Sequence, residues 1–135
     1  MSSSAVILIV DDEETIRFSI KEFLGGQGYE VIVAETCEQA LEKIDEFLPD
    51  LVLMDLRLPN MGGIELLEKV KTKDPNALII VMTGFGSVDT AVEAMKIGAY
   101  DYLEKPFKTE HLSCEHSSGL LLMNRVVQLL GIVSR

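Results

Sequence analysis

A chain of 135 residues with 47% hydrophobic and 25% charged residues has the make-up of one globular domain and is too short for two ordinary cores. Its formal net charge of -10 excludes the basic footprint of direct nucleic-acid binding, and two distant cysteines, Cys37 and Cys114, with His111 and His116, offer no zinc-ligand spacing. No apolar run approaches the roughly 18 residues of a membrane span, and residues 5–10 are too short and lack the basic flank of a signal peptide, so a cytoplasmic protein is expected.

Residues 5–10, AVILIV, form an apolar run rich in β-branched residues that stops on Asp11-Asp12-Glu13-Glu14, which predicts a buried strand ending in acid. Asp12 is the expected helix cap, and Ile16, Ile20, Phe23 and Leu24 recur at helical spacing until Gly25-Gly26. Residues 29–34 predict a short second strand. Thr36 and Gln39 then have capping-box spacing ahead of a stripe of Ala40, Leu41, Ile44, Phe47 and Leu48, and Pro49 ends that helix.

Residues 51–55, LVLMD, are apolar throughout and end on the single carboxylate of Asp55, followed by turn-forming Pro59-Asn60-Met61-Gly62-Gly63. Ile64, Leu66, Leu67 and Val70 supply the buried side of a third helix. Residues 77–83 predict a fourth buried strand ending on the hydroxyl of Thr83, and Gly84-Phe85-Gly86-Ser87 leads into a fourth helix of about residues 88–97, stopped by Gly98. Residues 100–104 read as a short fifth strand that hands over to Lys105-Pro106-Phe107.

Five strand–helix alternations with short connections predict an α/β fold, a doubly wound parallel sheet with helices on both faces. Alternation alone leaves strand order open. The flavodoxin-like order 2-1-3-4-5 would set strands one and three side by side at the switch point, where such sheets bind ligands, and would bring Asp11, Asp12 and Asp55 together. Three converging carboxylates need a cation or raised pKa values to persist, and Mg²⁺ suits them because it takes one or two carboxylates, a carbonyl and waters while bridging to phosphoryl oxygen. Thr83 and Lys105 would face the same crevice with a hydroxyl donor and a compact ammonium, which is the equipment of phosphoryl transfer with Asp55 as nucleophile.

With these residues in place the sequence closely resembles the receiver domain of bacterial two-component response regulators, over about residues 5–107. Val10-Asp11-Asp12 resembles the family's acidic pair. Met54-Asp55-Leu56-Arg57-Leu58-Pro59, with Gly63 eight residues after the aspartate, resembles the phosphoacceptor segment, Met82-Thr83-Gly84 the switch threonine, and Lys105-Pro106-Phe107 the family's lysine with its proline. The resemblance implies Asp55 as phosphoacceptor, Asp11, Asp12, Asp55 and the backbone carbonyl of Arg57 as Mg²⁺ ligands, and Thr83, Lys105 and Tyr102 as catalytic and switch residues. It also implies a sensor histidine kinase as donor, an output domain or downstream protein as target, and no enzyme activity beyond self-catalysed phosphorylation and dephosphorylation. The stretch from Gly86 through Gly98 to Pro106 further resembles receivers of enhancer-binding transcription activators, so transcription is the expected output.

The alternative from another class is a Mg²⁺-dependent phosphohydrolase of the haloacid-dehalogenase type. That chemistry wants a second carboxylate two residues beyond the nucleophile, where this chain carries Arg57. A flavodoxin-like flavin binder would give no reason for so complete a set of acids, threonine and lysine.

Residues 1–108 are expected to form the receiver core and 109–135 a C-terminal helix, with a linker or altered sequence as the alternative. Thr109 caps it plausibly, yet Ser113 to Gly119 is poor helix material and the following segment is apolar nearly all round. A stripe of Leu112, His116, Gly119, Met123, Val126 and Leu130 would leave Leu121, Leu122, Val127 and Leu129 exposed, which predicts contact with a further domain or a homodimer through the helix 4/strand 5/C-terminal helix face.

Overall fold

A computed structural model describes residues 5–57, 62–83 and 88–104, with only the backbone of Thr83, Val88 and Glu104. Strands and helices alternate: β1 (Val6–Val10), α1 (Glu14–Gly26), β2 (Glu30–Ala34), α2 (Cys37–Phe47), β3 (Leu51–Asp55), α3 (Gly63–Lys73), β4 (Ile79–Thr83), α4 (Val88–Ile97) and β5 (Asp101–Glu104). The strands make one parallel sheet in the order β2-β1-β3-β4-β5, the doubly wound arrangement expected.

The sheet is buried on both faces because its central strands have no polar positions to show to water. Every residue of β3 is buried, and in β1 only Val6 is partly exposed. Alternation along each strand divides the core. Leu8, Val10, Val52, Met54 and Val81 pack under α2, α3 and α4, whereas Ile7, Ile9, Leu51, Leu53 and Ile80 pack with Ile16, Ile20, Phe23 and Leu24 of α1. Asp50 locks the start of the sheet: its N–H donates to the Val6 carbonyl at 2.8 Å, and its Oδ2 accepts from the Val6 N–H at 2.8 Å.

Three local expectations change. Asp12 is not the cap of α1; the N-cap is Glu13, which makes no side-chain cap bond, because the chain first turns on Asp11, whose Oδ1 accepts the Glu13 N–H at 2.9 Å. Thr36 does cap α2, its hydroxyl accepting from Gln39 N at 3.1 Å, but Gln39 Oε1 reaches back to Glu35 N rather than to Thr36. Leu48 is not in the core: it is 76% exposed and caps α2 in the left-handed region at φ 49°. Pro49 disfavours the right-handed helical region for its predecessor, and the αL turn throws the leucine outward. Besides these three, β1, β2 and β5 begin one residue later than the sequence suggests, at Val6, Glu30 and Asp101, and β4 two residues later, at Ile79.

Cys37 is a buried thiol in the first turn of α2. Burial, followed by the nearby carboxylates Glu38 and Glu65, pushes it above the ordinary thiol range, with Lys69 opposing weakly. It therefore stays a protonated, poorly nucleophilic thiol through neutral pH. In the native protein its alkylation by iodoacetamide at pH 8 should run at least about 100-fold slower than in urea. Peptide mass mapping reads both rates, and equal rates would contradict the buried placement. The expectations for Cys114, His111, His116 and the 109–135 helix fall outside the described residues.

Candidate functional site

The parallel register decides which side chains meet at the carboxyl edge of the sheet. Val10 pairs with Met54, so Asp11 and Asp55 stand level, each one residue beyond that pair. Asp55 pairs with Met82 of β4, which puts Thr83 one residue further along, opposite Glu104 of β5. The ladder continues just past each strand: Asp11 N donates to Ala34 O and Leu56 N to Met82 O, both at 3.1 Å. Both acids are thus held by sheet geometry rather than by free loops.

Asp11, Asp12 and Asp55 bring one carboxylate oxygen apiece within 4.8 Å of one another. Asp11 is 0% and Asp55 4% exposed, while Asp12 lies open to solvent. The two buried carboxylates are aimed by the same device. Asp11 Oδ1 accepts the N–H of Glu13 and Asp55 Oδ1 that of Arg57, each at 2.9 Å and each two residues on. Such Asx turns fix the carboxylate rotamer and partly offset its desolvation.

The donor set fits Mg²⁺. All three groups are hard oxygens, and an octahedral ion with bonds of ~2.1 Å holds ligands ~3 Å apart in cis and ~4.2 Å in trans, so groups this close need only small adjustments. Their mutual repulsion argues the same way: at 4.8 Å, an effective dielectric of about 20 gives about 3 kcal/mol for each like-charged pair. A divalent cation converts that cost into attraction. The site pairs two shielded acids with one wet one, leaving an open side toward solvent.

The remaining expected residues are placed to different extents. Arg57 is exposed, and its backbone N–H is the donor to Asp55 described above. Tyr102 lies on β5 opposite Val81 and is 46% exposed. Thr83 ends β4 at the same edge as Asp55, with its side chain outside the described set. Lys105, one residue past β5, Phe85 and the Leu58-Pro59-Asn60 turn also lie outside the described residues.

Sequence reasoning missed Arg17. Its Nη1 donates to the Asp11 carbonyl at 2.8 Å, and its Nη2 lies 3.3 Å from Glu35 Oε2. The available signal is its place at the start of α1, since helical side chains lean back toward the N-terminus and a long one there can reach the strand ends.

The response regulator receiver domain model matches residues 7–115. The transcriptional regulatory protein ZraR of Klebsiella oxytoca is 46% identical over 114 residues, 84% of this chain and 26% of that protein. Sporulation initiation phosphotransferase F of Bacillus subtilis is 39% identical over 106 residues, 78% of this chain and 86% of that one. This chain therefore spans about a quarter of the length of relatives such as ZraR and most of the length of the phosphotransferase. Among solved structures, the receiver domain of NtrX from Brucella abortus superposes with a TM-score of 0.77 at 34% identity, covering 90% of this chain and 98% of that one. Sheet order, converging acids and a family match over most of the length agree: the chain belongs to the response regulator receiver domains.

Proposed function

We propose that the chain is a phosphoacceptor switch in which Asp55 takes a phosphoryl group from a phosphohistidine of a sensor histidine kinase. The observation that carries this reading is the convergence of Asp11, Asp12 and Asp55 at adjacent strand ends, two of them buried, one open. A carboxylate oxygen of Asp55 attacks phosphorus, the P–N bond breaks, and the departing imidazole keeps the electron pair, leaving an acyl phosphate on Asp55. Asp11, Asp12, Asp55 and the Arg57 carbonyl would hold Mg²⁺, which when bound supplies positive charge against the phosphoryl oxygens.

The new group adds roughly one and a half to two negative charges. Lys105 offsets them, and the Thr83 hydroxyl donates to a phosphoryl oxygen. Space left by Thr83 lets Tyr102 turn inward, which changes the α4/β5 face, where Val92, Met95, Tyr100 and Tyr102 are exposed. That face would carry the output or a homodimer. Reset is hydrolysis, in which water attacks phosphorus and Asp55 leaves as carboxylate; by the resemblance to receivers, Arg57 and Phe85 would be the residues beside that water, and their bulk would slow it. The longer relatives ZraR and AtoC are named as regulatory proteins, which supports transcription as the controlled process, through an output domain or downstream protein and without nucleic-acid contact by this acidic unit. Among the described residues no helix is long and apolar enough to cross a membrane.

Incubation with acetyl phosphate and Mg²⁺, followed by intact mass, is expected to show one added phosphoryl group per chain. Replacing Mg²⁺ by EDTA should slow its appearance at least about 100-fold. Failure of the Mg²⁺-loaded wild type to gain the adduct would overturn the proposal.

A further inference from the structure

We infer that Arg17 is the positioning residue of the acidic site: it sets Mg²⁺ affinity by clamping the peptide between Asp11 and Asp12, without touching ion or phosphoryl group. This rests on the proposed metal site. The side chain is 14% exposed, so the guanidinium is largely withdrawn from water, and it forks between the ends of β1 and β2, adding a side-chain tie to the Asp11 N–Ala34 O bond that joins them. One arm donates to the Asp11 carbonyl at 2.8 Å; the other meets the Glu35 carboxylate at 3.3 Å.

The Asp11 backbone is thereby fixed at both ends. Its N–H donates to Ala34 O at 3.1 Å, its carbonyl accepts from Arg17, and its carboxylate accepts from Glu13 N at 2.9 Å. The plane of the next peptide determines where the Asp12 side chain leaves the backbone. Asp12 is the exposed member of the triad, so this peptide is its tie to the buried pair. Glu35 is itself held, its N–H donating to Gln39 Oε1 at 2.9 Å beside the Thr36 cap of α2. The clamp thus anchors the metal edge to the start of α2.

Two effects of Arg17 oppose each other. As a cation near three carboxylates it would weaken Mg²⁺ binding; as a clamp it strengthens it. Glu35 decides the balance, because the ion pair is close to neutral and its field at the site is small beside the geometric requirement of an octahedral ion. Removing the donors should therefore weaken Mg²⁺, whereas a purely electrostatic role would make it bind more tightly.

The test is calorimetric titration of Mg²⁺ into the wild type, Arg17→Met, Arg17→Lys and Glu35→Gln, with thermal unfolding in EDTA. Arg17→Met keeps the buried stem but no donor and should raise the Mg²⁺ dissociation constant about five- to tenfold; Arg17→Lys, which still donates to the carbonyl, should return to within about twofold. Phosphorylation by acetyl phosphate should slow at low Mg²⁺ and recover at saturation, a split that simple loss of stability would not produce. Unchanged or tighter Mg²⁺ binding by Arg17→Met overturns the inference. Should that variant not fold, Glu35→Gln must weaken binding about two- to threefold, and unchanged affinity there overturns it equally. A wild type that binds no Mg²⁺ would instead overturn the metal site itself.

Discussion

Asp55→Asn is expected to gain no phosphoryl adduct from acetyl phosphate and Mg²⁺ while becoming more stable than the wild type in EDTA. The first half follows from chemistry. An amide oxygen is too weak a nucleophile for phosphorus, and register leaves Asp55 as the acid flanked by both β1 and β4. The second half follows from electrostatics. Asp55 is 4% exposed and its carboxylate lies within 4.8 Å of two others, so each pair costs about 3 kcal/mol at an effective dielectric of about 20. The bond from Arg57 N to Oδ1 survives in asparagine but loses its charge assistance, which returns about 1 kcal/mol. Solvent around the exposed Asp12 screens its pair to a fraction of that figure, so a net gain of about 1–3 kcal/mol, or about 3–10 °C in Tm, remains.

In millimolar Mg²⁺ the order should close or reverse, because only the wild type keeps all three ligands and gains stability from binding. Thermal unfolding of both proteins with and without Mg²⁺ reads this directly. An asparagine variant less stable than wild type in EDTA would show that the buried carboxylate is held by interactions stronger than the repulsion. An adduct of equal yield on the variant would remove Asp55 as acceptor.

The strands were the most legible part of the chain because burial on both faces leaves its mark at every position: LVLMD and AVILIV have no polar residue before their terminal acids. Those acids gave the site for the same reason. A carboxylate ending an all-apolar run must emerge at the sheet edge, and three of them converge as the 2-1-3-4-5 order requires. What stayed hidden depends on contacts between segments. The apolar character of Leu48 suggested core, but the backbone constraint of Pro49 outweighed it and the residue is exposed. Asp12 reads as a helix cap until the Asx turn on Asp11 moves the helix start to Glu14. Arg17 carries no mark of its role, since nothing in a linear sequence reveals that the Asp11 carbonyl and Glu35 both lie within its reach.

Gly63→Ala is the second large expected effect, and it links the core to the site. Gly63 opens α3, is buried, and donates its N–H to the Leu56 carbonyl at 3.0 Å. A Cβ built there would lie 2.4 Å from Leu56 Cα, 2.7 Å from its carbonyl oxygen and 2.8 Å from its carbonyl carbon. All three are backbone atoms, so no rotamer change relieves the clash and either α3 or the Asp55–Leu56 backbone must move. The alanine's better helix propensity, worth at most about 1 kcal/mol, does not offset overpacking against a rigid backbone, about 2–4 kcal/mol. About 1–3 kcal/mol of destabilisation remains, and we expect a Tm lower by about 3–10 °C. Leu56 directly follows Asp55, the proposed phosphoacceptor, so movement there tilts Asp55 away from Asp11, and phosphorylation by acetyl phosphate should slow about 10- to 100-fold under conditions where the variant is fully folded. Gly62→Ala is the control: a Cβ at that position meets nothing within 4 Å and φ is -65°, so stability should change by less than about 1 kcal/mol. Equal behaviour of the two variants would mean that close approach of α3 to Leu56 does not hold the site in register.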